Sequence, residues 1–127
     1  MTPLTVEELL FLHHRIVVET GGSQGVRDLG LVEAALLRPF AGFGDHEAFP
    51  TLFEKVAVVM ASIIQTHPFV DGNKRTGVGA AASLLTRNGY RLRGTQREIE
   101  DFAVRVATDH PEVAVIAAWL ADHTQLD

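Results

Sequence analysis

Apolar residues recur three and four positions apart along most of the chain, the spacing of a helix with one face turned to a core. Val6, Leu9, Leu10, His13, Ile16 and Val17 form one such face. Thr5 and Glu8 ahead of it fit a capping box, and Leu4 and Leu9 a hydrophobic staple. Gly21 and Gly22 stop this helix. Asp28 caps a short second helix carrying Leu31, Val32, Ala35 and Leu36, which Pro39 ends. Residues 40–50 hold Gly42, Gly44 and Pro50 and read as a loop. Thr51 and Glu54 fit a second capping box and open a third helix with Val56, Val59, Met60, Ile63 and Ile64, apolar on nearly every side and therefore central.

His67 and Pro68 interrupt the pattern, because proline disfavours helix at the residue before it. Asn73 is placed to cap a fourth helix, whose Gly77, Gly79 and Ala80–Ala82 allow neighbours to approach closely. Asn88 and Gly89 end it. Tyr90–Arg93 is short and reads as extended at most. Thr95 and Glu98 form a third capping box before Ile99, Phe102, Ala103 and Val106. Pro111 suits the first position of a last helix through Val113, Ile116, Ala117 and Leu120. The expectation is an all-α fold, a bundle of about six helices with essentially no sheet, formed by residues 1–127 as a single domain.

Composition narrows the functions this fold can carry. With 127 residues and no cysteine, the chain needs no covalent staples, and disulfides, thiolate metal sites and cysteine nucleophiles are excluded. Hydrophobic residues at 46% exclude bulk disorder. A net charge of −5 argues against non-specific binding to nucleic acid. No apolar run reaches membrane-spanning length, and MTPLTVEELL lacks the pattern of a signal peptide, so a cytoplasmic location is expected.

Chemistry concentrates in HPFVDGNKRT, residues 67–76. The stretch joins two apolar helices and holds an imidazole (His67), a carboxylate (Asp71), an amide (Asn73) and two cations (Lys74, Arg75). Gly72 lets a ligand approach the backbone where the next helix presents unpaired N–H groups and the positive end of its dipole, an arrangement suited to phosphate. Lys74 and Arg75 add donors for phosphate oxygens. Asp71 can hold Mg²⁺ with the help of those phosphates. An imidazole, which titrates near neutral pH, can take a proton from a hydroxyl. These are the parts of a phosphoryl or nucleotidyl transfer site. Each residue also has an ordinary structural explanation: a turn, a cap, a solvated face. The composite pattern argues for function.

HPFVDGNKRT closely resembles the signature of the Fic/Doc family, in its Doc (death-on-curing) branch, carried here by His67, Phe69, Asp71, Gly72, Asn73, Lys74 and Arg75. GGSQGVRDLGLVEAAL, LFEKVAVVMASIIQTHPF and LLTRNGY are similar to the family's flanking segments, so the resemblance spans roughly residues 4–120. It implies an all-α fold that transfers part of a nucleotide to a protein hydroxyl. His67 would be the general base, Asp71 the Mg²⁺ ligand, and Asn73, Lys74 and Arg75, with the helix end at Gly72, the phosphate grip. Phe69 would anchor the loop. Members that transfer AMP carry glycine at the position of Lys74 and a further arginine downstream. Lysine marks the Doc-type members, which resemble kinases, bind ATP reversed and phosphorylate elongation factor Tu. The resemblance thus implies a kinase toxin using ATP and Mg²⁺, paired with an antitoxin whose disordered tail folds on it. AMP transfer and a non-catalytic binding module remain the alternatives. Alanine is the commoner Doc residue at the position of Gly72. The self-inhibitory helix of many Fic proteins has no complete match: Thr108 and Glu112 have its spacing, but Pro111 interrupts it.

Several residues outside the motif have competing readings. His13 falls on an apolar face and reads as a satisfied core histidine. Asp45, His46 and Glu47 offer either a metal cluster or a mobile polar loop that could flap against a target. Arg27 and Asp28 are assigned little chance of touching nucleotide. Arg87, Arg91, Arg93 and Arg97 offer either a docking patch for an acidic tail or a solvated face. Trp119 reads as packing, and His110 and His123 as helix-end residues.

Overall fold

The computed structural model describes residues 1–127 and contains the six expected helices. They are α1 (Val6–Thr20), α2 (Leu29–Leu37), α3 (Leu52–Thr66), α4 (Asn73–Arg87), α5 (Gln96–Asp109) and α6 (Val113–Asp122). The chain is mostly α-helical, with two small antiparallel ribbons: β1 (Gly42–Phe43) with β2 (His46–Glu47), and β3 (Tyr90–Leu92) with β4 (Thr124–Leu126).

Helix α3 is the hub, in contact with α2, α4, α5 and α6. Every residue from Lys55 to Ile64 is buried, as its all-round apolar sequence requires. Helix α4 packs most closely on it, and Gly77 is the reason. A Cβ there would lie 2.5 Å from Ile64 Cγ1 and 3.2 Å from the Met60 carbonyl oxygen, so only glycine lets the two backbones come this near. One continuous apolar core of 23 residues joins all six helices. No helix is long and apolar enough to cross a membrane.

The capping boxes at Thr5/Glu8 and Thr95/Glu98 are both formed. At Thr51 only half forms, since Thr51 Oγ1 accepts from Glu54 N–H while the Glu54 carboxylate takes the Thr51 hydroxyl instead of its N–H. Pro39 does not end α2 outright: the chain continues as a 3-10 turn over Arg38–Phe40 with Pro39 inside it. Pro111 lies before Glu112, the cap of α6, rather than at the first helical position.

Asp45, His46 and Glu47 form no metal cluster, and the stretch 40–50 is not loop throughout. It holds the β1–β2 hairpin, and no group of three ligating side chains occurs anywhere in the chain. The hairpin is anchored by the buried ammonium of Lys55, which donates to Glu47 Oε1 at 2.9 Å and to the Phe49 carbonyl. That bond holds the Glu47 carboxyl below its ordinary value. The arginines near the Asn88–Gly89 turn are divided rather than pooled: Arg87 pairs with Glu8, and Arg91 with Asp127. Trp119 is packed between Phe102 and His123, with ring centroids 4.0 and 3.8 Å away.

Candidate active site

Helix α3 ends at His67, whose backbone is left-handed (φ 55°, ψ 61°). A non-glycine residue in this region is strained, and such strain concentrates at functional sites. Pro68 follows and blocks any helical continuation. The turn leaves the imidazole exposed and free of hydrogen bonds, while Phe69, two residues on, is 1% exposed in the core. The chain therefore turns inward at Pro68 and Phe69 and outward again at Val70 and Asp71 before α4 begins.

Three sets of bonds fix this loop. On the core side, the His13 ring stacks on Phe69 with centroids 3.9 Å apart and planes 7° from parallel. His13 Nε2 lies 2.8 Å from the Asp71 carbonyl oxygen; a carbonyl only accepts, so Nε2 carries the proton. Within the loop, Asn73 Oδ1 accepts from Phe69 N–H at 3.1 Å, and Asn73 Nδ2 donates to Phe69 O at 3.0 Å. On the outer side, the segment 22–28 runs alongside as a strap. Arg27 and Asp28 N–H groups donate to Pro68 O, Val70 N–H donates to Gly25 O, and Val26 pairs antiparallel with Phe69. The Arg27 guanidinium closes the end of α3, donating to His67 O at 2.6 Å and Thr66 O at 2.7 Å.

This geometry revises the part expected of Asn73. It is not the cap of α4; Gly72 holds that position, left-handed at φ 76°. Nor is its amide free for phosphate, because both polar atoms are committed to Phe69 and the residue is buried. Only its backbone N–H belongs to the helix end. Glycine at 72 is the residue that the left-handed backbone favours.

The other motif side chains are open. Lys74 and Arg75 are exposed and neither forms an ion pair or side-chain hydrogen bond, although acidic residues outnumber basic ones, 16 to 11. They flank the first-turn N–H groups of α4, which have no intrahelical partners. Unpaired cations beside a helix N-terminus constitute a phosphate-binding geometry. The Asp71 carboxylate accepts from Ser23 N–H at 3.1 Å and Gly72 N–H at 2.9 Å. These two backbone donors, Ser23 foremost, hold its carboxyl below the ordinary value, with smaller help from Arg75 and His13. It is therefore ionised at neutral pH and keeps lone pairs toward solvent. A carboxylate outside any cluster of three ligating side chains suits Mg²⁺ that is bound largely through phosphates and water.

His67, Asp71, Gly72, Asn73, Lys74 and Arg75 line one cleft of about 720 Å³. Phe69 lies behind them in the core. Another wall is the face of α5 carrying Gln96, Ile99, Glu100, Ala103 and Val104. The volume is that of a small-molecule site.

The family model described as Fic/DOC family matches residues 3–85. The chain belongs to the Fic/Doc family. Among similar proteins, "Toxin Doc" of Mycolicibacterium smegmatis is 41% identical over 103 residues, covering 80% of this chain and 79% of that protein. "Protein kinase doc" of Escherichia phage P1 is 33% identical over 120 residues, covering 94% of each. Within this Fic/Doc chain, Thr108 and Glu112 do not form a self-inhibitory helix: α5 ends at Asp109, and His110 turns left-handed between them.

Sequence reasoning missed the supports of the site. Arg27 carried no local signal, because its partners are carbonyl groups about forty residues away. His13 read correctly as a satisfied core histidine, but not as the residue that Phe69 stacks on. The α5 wall has visible helical spacing at 96, 99, 100 and 103, but nothing in that spacing says what it faces.

Proposed function

We propose that this Fic/Doc chain is the toxin of a type II toxin–antitoxin pair and a protein kinase. It transfers the γ-phosphoryl group of ATP to a serine or threonine hydroxyl of a translation factor, elongation factor Tu, and so inhibits translation. The observation that carries this reading is the pair of unpaired cations, Lys74 and Arg75, at a helix N-terminus in the same cleft as an exposed imidazole and an ionised carboxylate. The relative named as a protein kinase, matched over nearly its whole length, supports the choice of phosphoryl transfer. Lys74 supports it too, because it fills with charge the position where AMP-transferring members carry glycine.

His67 takes the proton of the target hydroxyl as its oxygen bonds to the γ-phosphorus and the bond to the ADP oxygen breaks. The α4 N–H groups, Lys74 and Arg75 hold the phosphate oxygens in line and balance their charge. Asp71, kept ionised by Ser23 and Gly72, is the residue that would hold Mg²⁺. Bound there, Mg²⁺ would neutralise phosphate charge. A toxin of this kind requires control in trans, by an antitoxin whose disordered tail folds onto it.

Incubation with Mg²⁺, elongation factor Tu and ATP labelled on the α or γ phosphate tests the proposal. Labelling from the γ position alone, lost in His67→Ala, is the expected result. Labelling from the α position would make the chain an AMP transferase. No labelling, with His67→Ala equally toxic to cells, would make it a binding module.

A further inference from the structure

The α5 wall of the cleft has its own chemistry. Gln96, Ile99, Glu100 and Ala103 repeat at helical spacing and project from one face of α5 into the cleft. Three acids crowd the first half of this helix, and two meet nitrogen groups: Glu98 lies 3.5 Å from His123 Nε2, and Asp101 pairs with Arg97. Neither lines the cleft. Glu100 does, and no cation meets it. Its partner is the neutral amide of Gln96, whose Nε2 donates to Glu100 Oε1 at 2.9 Å.

Lys74 and Arg75 open into the same cleft, yet neither lies within ion-pair distance of Glu100. The cleft is therefore polarised. Lys74 and Arg75 attract anions; Glu100 presents an acceptor that repels anions and suits hydroxyl donors. Ile99, Val104 and Val78 line the same cleft and supply an apolar surface for a flat ring. A nucleotide has these three parts: phosphates, a sugar with two hydroxyls, and a base.

We propose that Glu100, held in place by Gln96, is the sugar-recognising residue of this cleft. Its carboxylate accepts hydrogen bonds from the ribose hydroxyls of a nucleotide whose phosphates rest on Lys74, Arg75 and the α4 end. The proposal rests on the nucleotide-binding reading above and adds a direction to it, with the sugar toward α5. Carboxylates serve ribose hydroxyls in this way in dinucleotide-binding folds, for the same reason: an ionised acceptor takes two donors at once. The Gln96 bond occupies one lone pair of Oε1 and leaves Oε2 free.

The test is a binding cycle with the intact chain and Mg²⁺, using ADP, 2′-deoxy-ADP and 3′-deoxy-ADP as probes. The wild-type protein should bind ADP about tenfold more tightly than at least one deoxy analogue, the scale of a charge-assisted hydrogen bond. Glu100→Ala should bind ADP as weakly as the wild type binds that analogue, with the preference erased. Glu100→Gln, which keeps an acceptor, should retain part of it, and Gln96→Ala should reduce it. A purely structural role would weaken all three nucleotides equally, and that result overturns the proposal. So does a wild-type protein that binds the three alike, which would leave nucleotide binding itself intact. Failure of the wild type to bind any of them overturns the nucleotide reading as well.

Discussion

His13 and Asp71 are joined by a single hydrogen bond, 2.8 Å from ring nitrogen to main-chain oxygen, across 58 residues of sequence. Because the same ring stacks on Phe69, one residue of α1 holds both the buried anchor and the backbone of the carboxylate-bearing turn. His13→Phe keeps an aromatic ring against Phe69 but leaves a part-buried carbonyl without its donor. The expected cost is about 1–2 kcal/mol in chemical denaturation. Activity should fall further than stability alone explains. Equal catalysis in the variant would show that the turn needs no such support.

Arg27 does not line the cleft, yet its guanidinium occupies the last carbonyls of α3. Arg27→Ala should cost about 1–2 kcal/mol, and Arg27→Lys should recover less than half, because an ammonium lacks the fork that spans two carbonyls. Hydrogen exchange should report the loss first at Val70 N–H, which bonds to the neighbouring strap residue Gly25.

Lys74 and Arg75 give the opposite result. They are exposed and bonded to nothing in the fold, so Lys74→Met and Arg75→Met should change stability by less than about 0.5 kcal/mol. Each should nonetheless weaken binding of ADP by roughly ten- to a hundredfold, the loss expected for a charge-assisted contact. Titration calorimetry beside thermal melts separates the two effects.

Two glycines distinguish space from backbone conformation. Gly77→Ala forces a methyl group against Ile64 and should cost about 1–3 kcal/mol. Gly72→Ala meets only ordinary contacts, with Val17 3.4 Å and His13 Nε2 3.7 Å away, so its cost is the left-handed backbone alone, roughly 1–2 kcal/mol. Urea titrations of the two variants should rank them with Gly77→Ala at least as damaging. An undisturbed Gly77→Ala would contradict the close approach of α3 and α4.

Asp71 makes stability depend on pH in a definite direction. Its folded value is depressed below the ordinary 3.8, so its contribution is complete above that value and disappears as pH falls through the depressed one. Glu47 and Glu98, depressed from 4.5 by Lys55 and Thr95 respectively, act with the same sign. Thermal melts of Asp71→Asn against wild type should differ most at neutral pH and converge in strong acid. Curves that stay parallel through the acid range would remove the carboxylate's bonds to Ser23 and Gly72 from the account.

The helices were legible because each carries its own periodicity and most carry their own caps; Thr5, Asp28 and Thr95 act where they stand. The motif was legible because its chemistry is packed into nine residues. What the sequence hid lies in pairings between distant segments. Tyr90–Leu92 becomes a strand only because Thr124–Leu126 returns to it. Residues 40–50 hold a hairpin anchored by Lys55, a charge buried in the most deeply buried helix. Asn73 looked like a cap from its position beside Gly72, and it closes the turn onto Phe69 because glycine already supplies the left-handed entry to α4.

The strap over the motif grips it mostly through main chain: Ser23, Gly25, Arg27 and Asp28 all contribute backbone groups, and Arg27 alone adds its side chain. Backbone bonds survive a change of side chain. Substitutions of the exposed Ser23 and Val26 side chains can therefore change the surface beside the motif without breaking the bonds that hold His67 and Asp71. The outer face of the strap and the chemistry beneath it are thus free to change separately.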